Sequence, residues 1–337
     1  MRNRGVFLLA AVLAVCILTG CGSMGEVKES SSIVVVSPHP NGFIRPLIQE
    51  FERASGIEVK VIECGTSDAV DMIKNDEDID VMWGGSILTV GPFSDLFYSY
   101  KTPNEKYFKD EFKSVNGAYT FFTDVPSVLI INTDMVSSKN IQGYSDLLKD
   151  EFKGRIAFAN PARSSSSFEQ LVNMLYAMGS GDTDRGWDYV KELITSLDGK
   201  LLNSSSMVYE GVANGKYAVG LTFEEAAVTM LKSNKHVSIV YMEEGVVSTP
   251  DGIYINKNTK NIEECQKFVD FLTDKDTQTI IAKTLGRRSV RKDVEVSGLV
   301  LPKSEIKSIA VDKESVMENK EKWIEKFGKI YEGAGDE

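Results

Sequence analysis

The residues best suited to hold a ligand form a serine-rich turn, Asn160-Pro161-Ala162-Arg163-Ser164-Ser165-Ser166-Ser167, set between a segment that reads as a strand and one that reads as a helix. The first turn of a helix offers unpaired backbone N–H groups, and the hydroxyls add donors that adapt to several acceptors. An anion placed there gains from those donors and from the helix dipole, and Arg163 can add a charge-assisted fork. Ser166 with Glu169 has the spacing of a capping box, so plain helix capping accounts for the same residues. Leu202-Asn203-Ser204-Ser205-Ser206 repeats the theme before a helix expected over 207–213. Capping explains one serine there and not three, which leaves a second donor set around Ser205.

Other candidates stand where strands are expected to end. Ser37 and His39 follow the first strand, where an imidazole can bind an oxyanion. Thr66 and Ser86 lie in the loops after the second and third strands. Glu224 follows a strand over 217–221 and can accept from hydroxyls or pair with an ammonium, although acids also suit a helix start. Asp251 is similar, with Asp251-Gly252 also a turn signal. His236, in a Ser-Asn-Lys-His stretch, reads as surface. Gly-x-Ser-x-Gly, His-Glu-x-x-His and a glycine-rich phosphate loop with its lysine are all missing, which argues against an enzyme.

The elements that must position these residues alternate. The β-branched run 33–36 reads as a buried parallel strand. A helix follows with Ile44, Leu47, Ile48 and Phe51 on one face, and Pro46 is tolerated if it falls in the first turn. A strand over 57–62, a short helix through Met72 and Ile73, and a strand over 79–82 complete the pattern, with Trp83-Gly84-Gly85-Ser86 as a loop. In open α/β sheets the carboxyl ends of such strands are where ligands bind. Segments 126–132 and 253–255 read as crossings between two lobes. The second lobe holds strands over 155–159, 217–221 and 236–241 and helices over 168–178 and 187–197. Helices over 262–272 and 277–285 return to the first lobe, and a last helix spans 316–327.

Charge and cysteines narrow the partners. The chain has 38 basic and 49 acidic residues, net −11. That argues against nucleic acid and an anionic membrane surface, though not against a small anionic solute held by backbone N–H groups. Two histidines are too few for a histidine-rich metal centre, and no cysteine pair has zinc-ribbon spacing. Cys64 and Cys265 sit beside apolar residues, as buried free thiols do, although an oxidising compartment would let them pair. At the start, Arg2 and Arg4 precede an uncharged apolar run over 5–17, the layout of a secretory signal peptide over 1–20. The run is shorter than the roughly 20 residues needed to span a bilayer. Leu18-Thr19-Gly20-Cys21 resembles the lipobox of bacterial lipoproteins, which implies lipidation of Cys21 and a tether over 21–31.

The mature chain resembles the extracellular solute-binding proteins of bacterial ABC importers (family 1), in the iron(III)-binding-like group. The resemblance rests on Val36-Ser37-Pro38-His39-Pro40, Val81-Met82-Trp83-Gly84-Gly85-Ser86, Ile131-Asn132-Thr133-Asp134, Phe152-Lys153-Gly154-Arg155-Ile156, residues 159–177 and residues 211–220. It implies an α/β, two-lobed type II periplasmic-binding-protein fold with a ligand cleft between the lobes. Lobe 1 takes 32–128 and 249–337, the latter including the last helix, and lobe 2 takes 129–248. Ferric binders of the group place adjacent tyrosines after the last motif, where this chain has Phe223-Glu224-Glu225. The branch that binds sugar phosphates or 2-aminoethylphosphonate is therefore more similar. It implies Ser37, His39, Thr66, Ser86, Ser165, Ser166 and Glu224 as ligand residues, with Asp251 beside them, whereas the serines at 204–206 depart from its sugar-phosphate members and Ser205 is a candidate from the second donor set alone. The expected protein is a lipid-anchored monomer that needs no cofactor and passes a phosphorylated or phosphonate solute to a permease. Ferric iron or another metal ion is the alternative solute, and an exported enzyme acting on phosphate esters the alternative class.

Overall fold

The computed structural model describes residues 31–75, 78–114, 117–197 and 201–334. The expected signal peptide, Cys21 with its expected lipid, and the expected tether up to residue 30 lie outside the described residues. The described residues from Ser31 to Ala334 form one compact unit.

The chain opens with the alternation its sequence dictates. β1 (Ser32–Ser37) buries Ile33, Val35 and Val36, and α1 (Asn41–Ser55) lays Phe43, Ile44, Leu47, Ile48 and Phe51 against it. Gly56, in the left-handed region at φ 71°, ends α1 and turns the chain into β2 (Glu58–Glu63), parallel to β1. Because α1 begins at Asn41, Pro46 lies in its second turn and not its first. The missing N–H leaves the carbonyl of Gly42 without a helix partner, and Gly42 is exposed, so water can take that carbonyl. α2 (Thr66–Asn75) then leads to β3 (Val81–Ser86) and the short α3 (Ile87–Val90).

β3 departs from expectation. Trp83-Gly84-Gly85-Ser86 is strand and not loop, because an antiparallel neighbour pairs with it as far as Ser86↔Asp251, with a shift in register after Trp83. Gly84 and Gly85 hold φ at 108° and 88°, which only glycine adopts without strain and which produces that irregularity.

β4 (Thr120–Asn132) starts six residues earlier than the hydrophobic run suggests and is the strand both halves share. Beyond it come β5 (Ile156–Ala159), α4 (Ser165–Met178), α5 (Thr183–Ser196), β6 (Leu201–Leu202), α6 (Ser205–Ala213), β7 (Val219–Phe223), α7 (Glu224–Lys232) and β8 (Val237–Val240). The chain returns along β9 (Ser248–Ile255), α8 (Ile262–Thr273), α9 (Lys275–Ile280), the two-residue β10 (Arg288–Ser289) and α10 (Lys313–Ala334). The strand order is β2-β1-β3-β9-β4-β7-β5-β6, with β8 and β10 also on β4. The first half of β4 pairs with β9 from Thr120↔Ile253 to Pro126↔Ser248, and its second half pairs with β7 and β8.

Separate cores fill the two halves. Phe268, Val269 and Leu272 of α8 pack with α1 and β1, while α4 and α5 pack on β5 and β7 through Phe168, Leu175, Trp187 and Val190. α10 sends Val316, Trp323 and Phe327 into that second core, where the Phe327 and Phe158 rings are 6.0 Å apart. Its Met317 sulfur would stand 2.7 Å from a Cβ on Gly91, so the same helix also lies against the end of α3. Among the described residues no helix is long and apolar enough to cross a membrane. Cys64 and Cys265 are free thiols, and burial pushes the Cys265 thiol up to about 12.

Candidate functional site

Three helix N-termini meet at one cavity of about 220 Å³ between the half-sheets, small for a ligand pocket and suited to a small solute. Thr66 opens α2 on one side, and the serine turns before α4 and α6 face it from the other. The Thr66 and Ser165 hydroxyls are 3.4 Å apart across the gap.

The two serine turns are built alike. Ser164 caps α4 by accepting from the Ser167 N–H at 3.3 Å, and Ser204 caps α6 by accepting from the Met207 N–H at 3.4 Å. Each capping hydroxyl also meets the hydroxyl two residues on, Ser164 to Ser166 at 3.1 Å and Ser204 to Ser206 at 2.9 Å. Arg163 Nη1 donates to Asn203 Oδ1 at 3.3 Å and ties one turn to the other. The capping box expected of Ser166 and Glu169 is therefore replaced by a cap two residues earlier. Ser165, Ser166 and Ser205 remain on the cavity wall with the free N–H groups of their first turns.

Seven of the nine expected ligand residues line the cavity: His39, Thr66, Ser86, Ser165, Ser166, Ser205 and Asp251. Ser37 and Glu224 do not. The Ser37 hydroxyl donates to the Trp83 carbonyl at 2.6 Å and accepts the His39 N–H at 3.2 Å, so it fixes the loop that carries His39. Glu224, expected to read the far end of a solute, is gripped by Arg288 from Nε at 2.9 Å and Nη2 at 2.6 Å and accepts from Tyr241 at 2.6 Å. A carboxylate with those partners has little left to offer a ligand. His236 is exposed and 2.9 Å from Asp134.

The Gly84-Gly85 pair explains how β3 approaches the cavity so closely. A Cβ on Gly84 would come within 2.5 Å of His39 Nε2, and one on Gly85 within 2.8 Å of Thr66 Cγ2. His39 itself is buried edge-to-face against Phe43 and Trp83, with ring centroids 5.1 and 5.8 Å away. Burial, helped by Arg287, holds its pKa below an ordinary imidazole's, so it faces the cavity neutral. Nε2 stands 3.3 Å from Asp251 Oδ2 without hydrogen-bond alignment.

Arg287 is the main residue that sequence reasoning missed. It lines the cavity and donates from Nη1 to Asp251 Oδ2 at 2.6 Å and from Nη2 to Glu225 Oε2 at 3.3 Å. Its guanidinium carbon lies 4.5 Å from the Phe43 ring centroid, and Nε has no hydrogen-bond partner among the described residues. Burial alone would raise the Asp251 carboxyl, but Arg287, His39 and Thr123 outweigh it and hold the pKa below the usual carboxylate value. The available signal was Gly286-Arg287-Arg288-Ser289, a basic pair just after a helix in an acidic chain, with Gly286 left-handed at φ 82°. Glu169, one turn into α4, also lines the cavity and was read only as a cap.

A donor-lined cavity between two half-sheets joined by a shared strand defines a solute-binding protein of the α/β class. The chain belongs to the family of bacterial extracellular solute-binding proteins, whose model matches residues 46–304. It is 21% identical over 97% of its length to the probable ABC transporter periplasmic-binding protein y4fP of Sinorhizobium fredii, covering 93% of that protein. It is 22% identical over 85% of its length to a putative 2-aminoethylphosphonate-binding periplasmic protein of Salmonella typhimurium, covering 86% of that protein.

Solved structures show the same fold. The periplasmic binding protein AfuA of Actinobacillus pleuropneumoniae, with fructose-6-phosphate bound, superposes with a TM-score of 0.81 at 21% identity, over 90% of this chain and 99% of that one. The apo ferric ion-binding protein A of Pasteurella haemolytica superposes at 0.76 with 18% identity, over 89% and 98%. The architecture is that of the class II periplasmic binding proteins, and the protein is an extracytoplasmic, non-catalytic solute-binding component of an ABC import system.

Proposed function

We propose that this protein captures a small phosphorylated or phosphonate solute and delivers it to its permease. The convergence of three hydroxyl-bearing helix N-termini on one cavity carries this reading. The first turns of α2, α4 and α6 supply N–H donors, Thr66, Ser165, Ser166 and Ser205 supply hydroxyls, and Arg163 and Arg287 supply charge. A tetrahedral anion with three acceptor oxygens uses such a set fully. The names of two relatives point the same way, one with a phosphonate and one with a sugar phosphate.

The solute enters between lobe 1 (32–128 and the return from 249) and lobe 2 (129–248), whose rotation β4 and β9 absorb. α10, expected on lobe 1, is packed instead on the core of lobe 2 through Val316, Trp323 and Phe327. Closure excludes water and strengthens each charge-assisted hydrogen bond. Cys21, once lipidated, keeps the protein at the outer face of the membrane beside its permease.

Ferric iron fits the donor set less well. Where the ferric branch is expected to offer adjacent tyrosines stand Phe223-Glu224-Glu225, and both glutamates are engaged by arginines. Calorimetric titration of solute-stripped protein with hexose phosphates, 2-aminoethylphosphonate and chelated Fe³⁺ separates the two. One-to-one binding of a phospho compound, absent with its dephosphorylated form, is the expected result. Tight Fe³⁺ uptake with silence from every phospho compound would overturn it.

A further inference from the structure

Glu169 stands on α4 directly behind the serine turn, 6% exposed, and lines the cavity together with Ser86 at the end of β3. The charged groups that face it are Asp251 on β9, Arg287 before β10 and Lys320 on α10. Arg287 is already engaged by Asp251 and Glu225, and Lys320 lies over the Phe168 ring at 5.5 Å. Among the described residues no cation forms a salt bridge with Glu169, and Lys320 and Arg287 pull on it only from farther away. Ionised, it would set a buried negative charge beside the N–H groups and hydroxyls that receive an anion, where low dielectric makes the repulsion severe. Protonated, the same group is one more O–H donor aimed at the same place.

We propose that Glu169 is a specificity-determining residue of the cleft, which holds a proton and donates it as a hydrogen bond to the phospho group beside Ser165 and Ser166. The assignment rests on the phospho reading above and deepens it. The cleft then favours oxygen-rich anions and turns away an ammonium at this wall, since a neutral acid offers an ammonium no opposite charge. Burial, the largest influence, supports the protonated form by raising the carboxyl to about 8, against the opposing pull of Ser86, Lys320 and Arg287. His39, on the same cavity, has its pKa lowered and stays uncharged in this range.

The test is the pH dependence of fructose 6-phosphate binding to the full-length protein in detergent, between pH 7 and 9.5. The phosphate is a dianion throughout this range, since its second pKa is about 6. The wild-type Kd should be flat up to about pH 8 and then rise toward tenfold per pH unit. Glu169→Gln, isosteric and without an ionising proton, should show no such rise, whatever its affinity at pH 7. In the ligand-free wild type, the infrared carbonyl band of a protonated carboxyl should be present at pH 7 and lost by pH 9.5. That readout stands even if the variant fails to fold.

The same pH slope in Glu169→Gln, an affinity that increases with pH, or no titrating carboxyl band would each overturn the role of Glu169 and leave the phospho reading intact. Absence of phospho binding at every pH, with another solute saturating the cleft, would overturn both.

Discussion

Two adjacent arginines anchor two acidic clusters that look alike and do different work. Arg288 is closed in: Glu224 takes its Nε and Nη2, Tyr241 donates to the same carboxylate, and the Leu301 carbonyl accepts from Nη2 at 2.6 Å. Arg287, one residue earlier, divides itself between Asp251 and Glu225 and still reaches the cavity with Nε unpartnered. Each guanidinium leaves one buried nitrogen without a partner among the described residues, Nε of Arg287 and Nη1 of Arg288, but only Arg287 lines the cavity where a ligand could meet it. The difference lies in what each guanidinium faces, not in burial, since their side chains are 5% and 2% exposed.

The comparison can be broken most directly at Arg288. Arg288→Ala leaves Glu224 buried and unpaired, and such a break costs about 3–5 kcal/mol. Chemical denaturation should show that loss, and a loss below about 1 kcal/mol would mean the cluster holds nothing together. Arg287→Met should cost less stability, because the cavity lets water reach the released carboxylates. It should weaken phospho-solute binding by about 30-fold or more, the equivalent of about 2 kcal/mol for a buried charged contact. If the two variants lose equal stability and Arg287→Met binds as wild type, the division between the arginines is wrong.

A smaller effect sharpens the picture on the cavity side. The His39 pKa is lowered in the folded state, so the unfolded chain takes up this proton first as pH falls through about 6.5. Stability must then decline on acidification below that pH, by at most about 1.4 kcal/mol per pH unit from this group. The difference between wild type and His39→Gln isolates the contribution. Identical slopes in the two would show that His39 is not held neutral by its surroundings.

Much of the frame was legible because it is written in neighbouring residues. The β-branched run in β1, the apolar face of α1 and the serine turns before α4 and α6 each follow from local spacing. What escaped depends on partners remote in the chain. Nothing near Glu224 announces Arg288, and nothing near Asp251 announces Arg287 or His39, so local reading left both acids free for a solute. Trp83–Ser86 was misread for a related reason. Its two glycines signal a loop, while the strand that continues pairing there arrives only at β9. Glu169 shows a third kind of miss, since its spacing from Ser166 satisfied a capping rule that Ser164 in fact fulfils.

The doubled serine turn has a meaning on the timescale of mutation. Each turn caps its helix with one hydroxyl and presents further donors, and the Arg163–Asn203 contact holds the two side by side. If the two turns hold the solute as proposed, a lineage that exchanges Ser205 keeps the other turn, so capture weakens by degrees and does not vanish. Solute preference can therefore drift through a series of working receptors, with the scaffold never passing through a form that binds nothing.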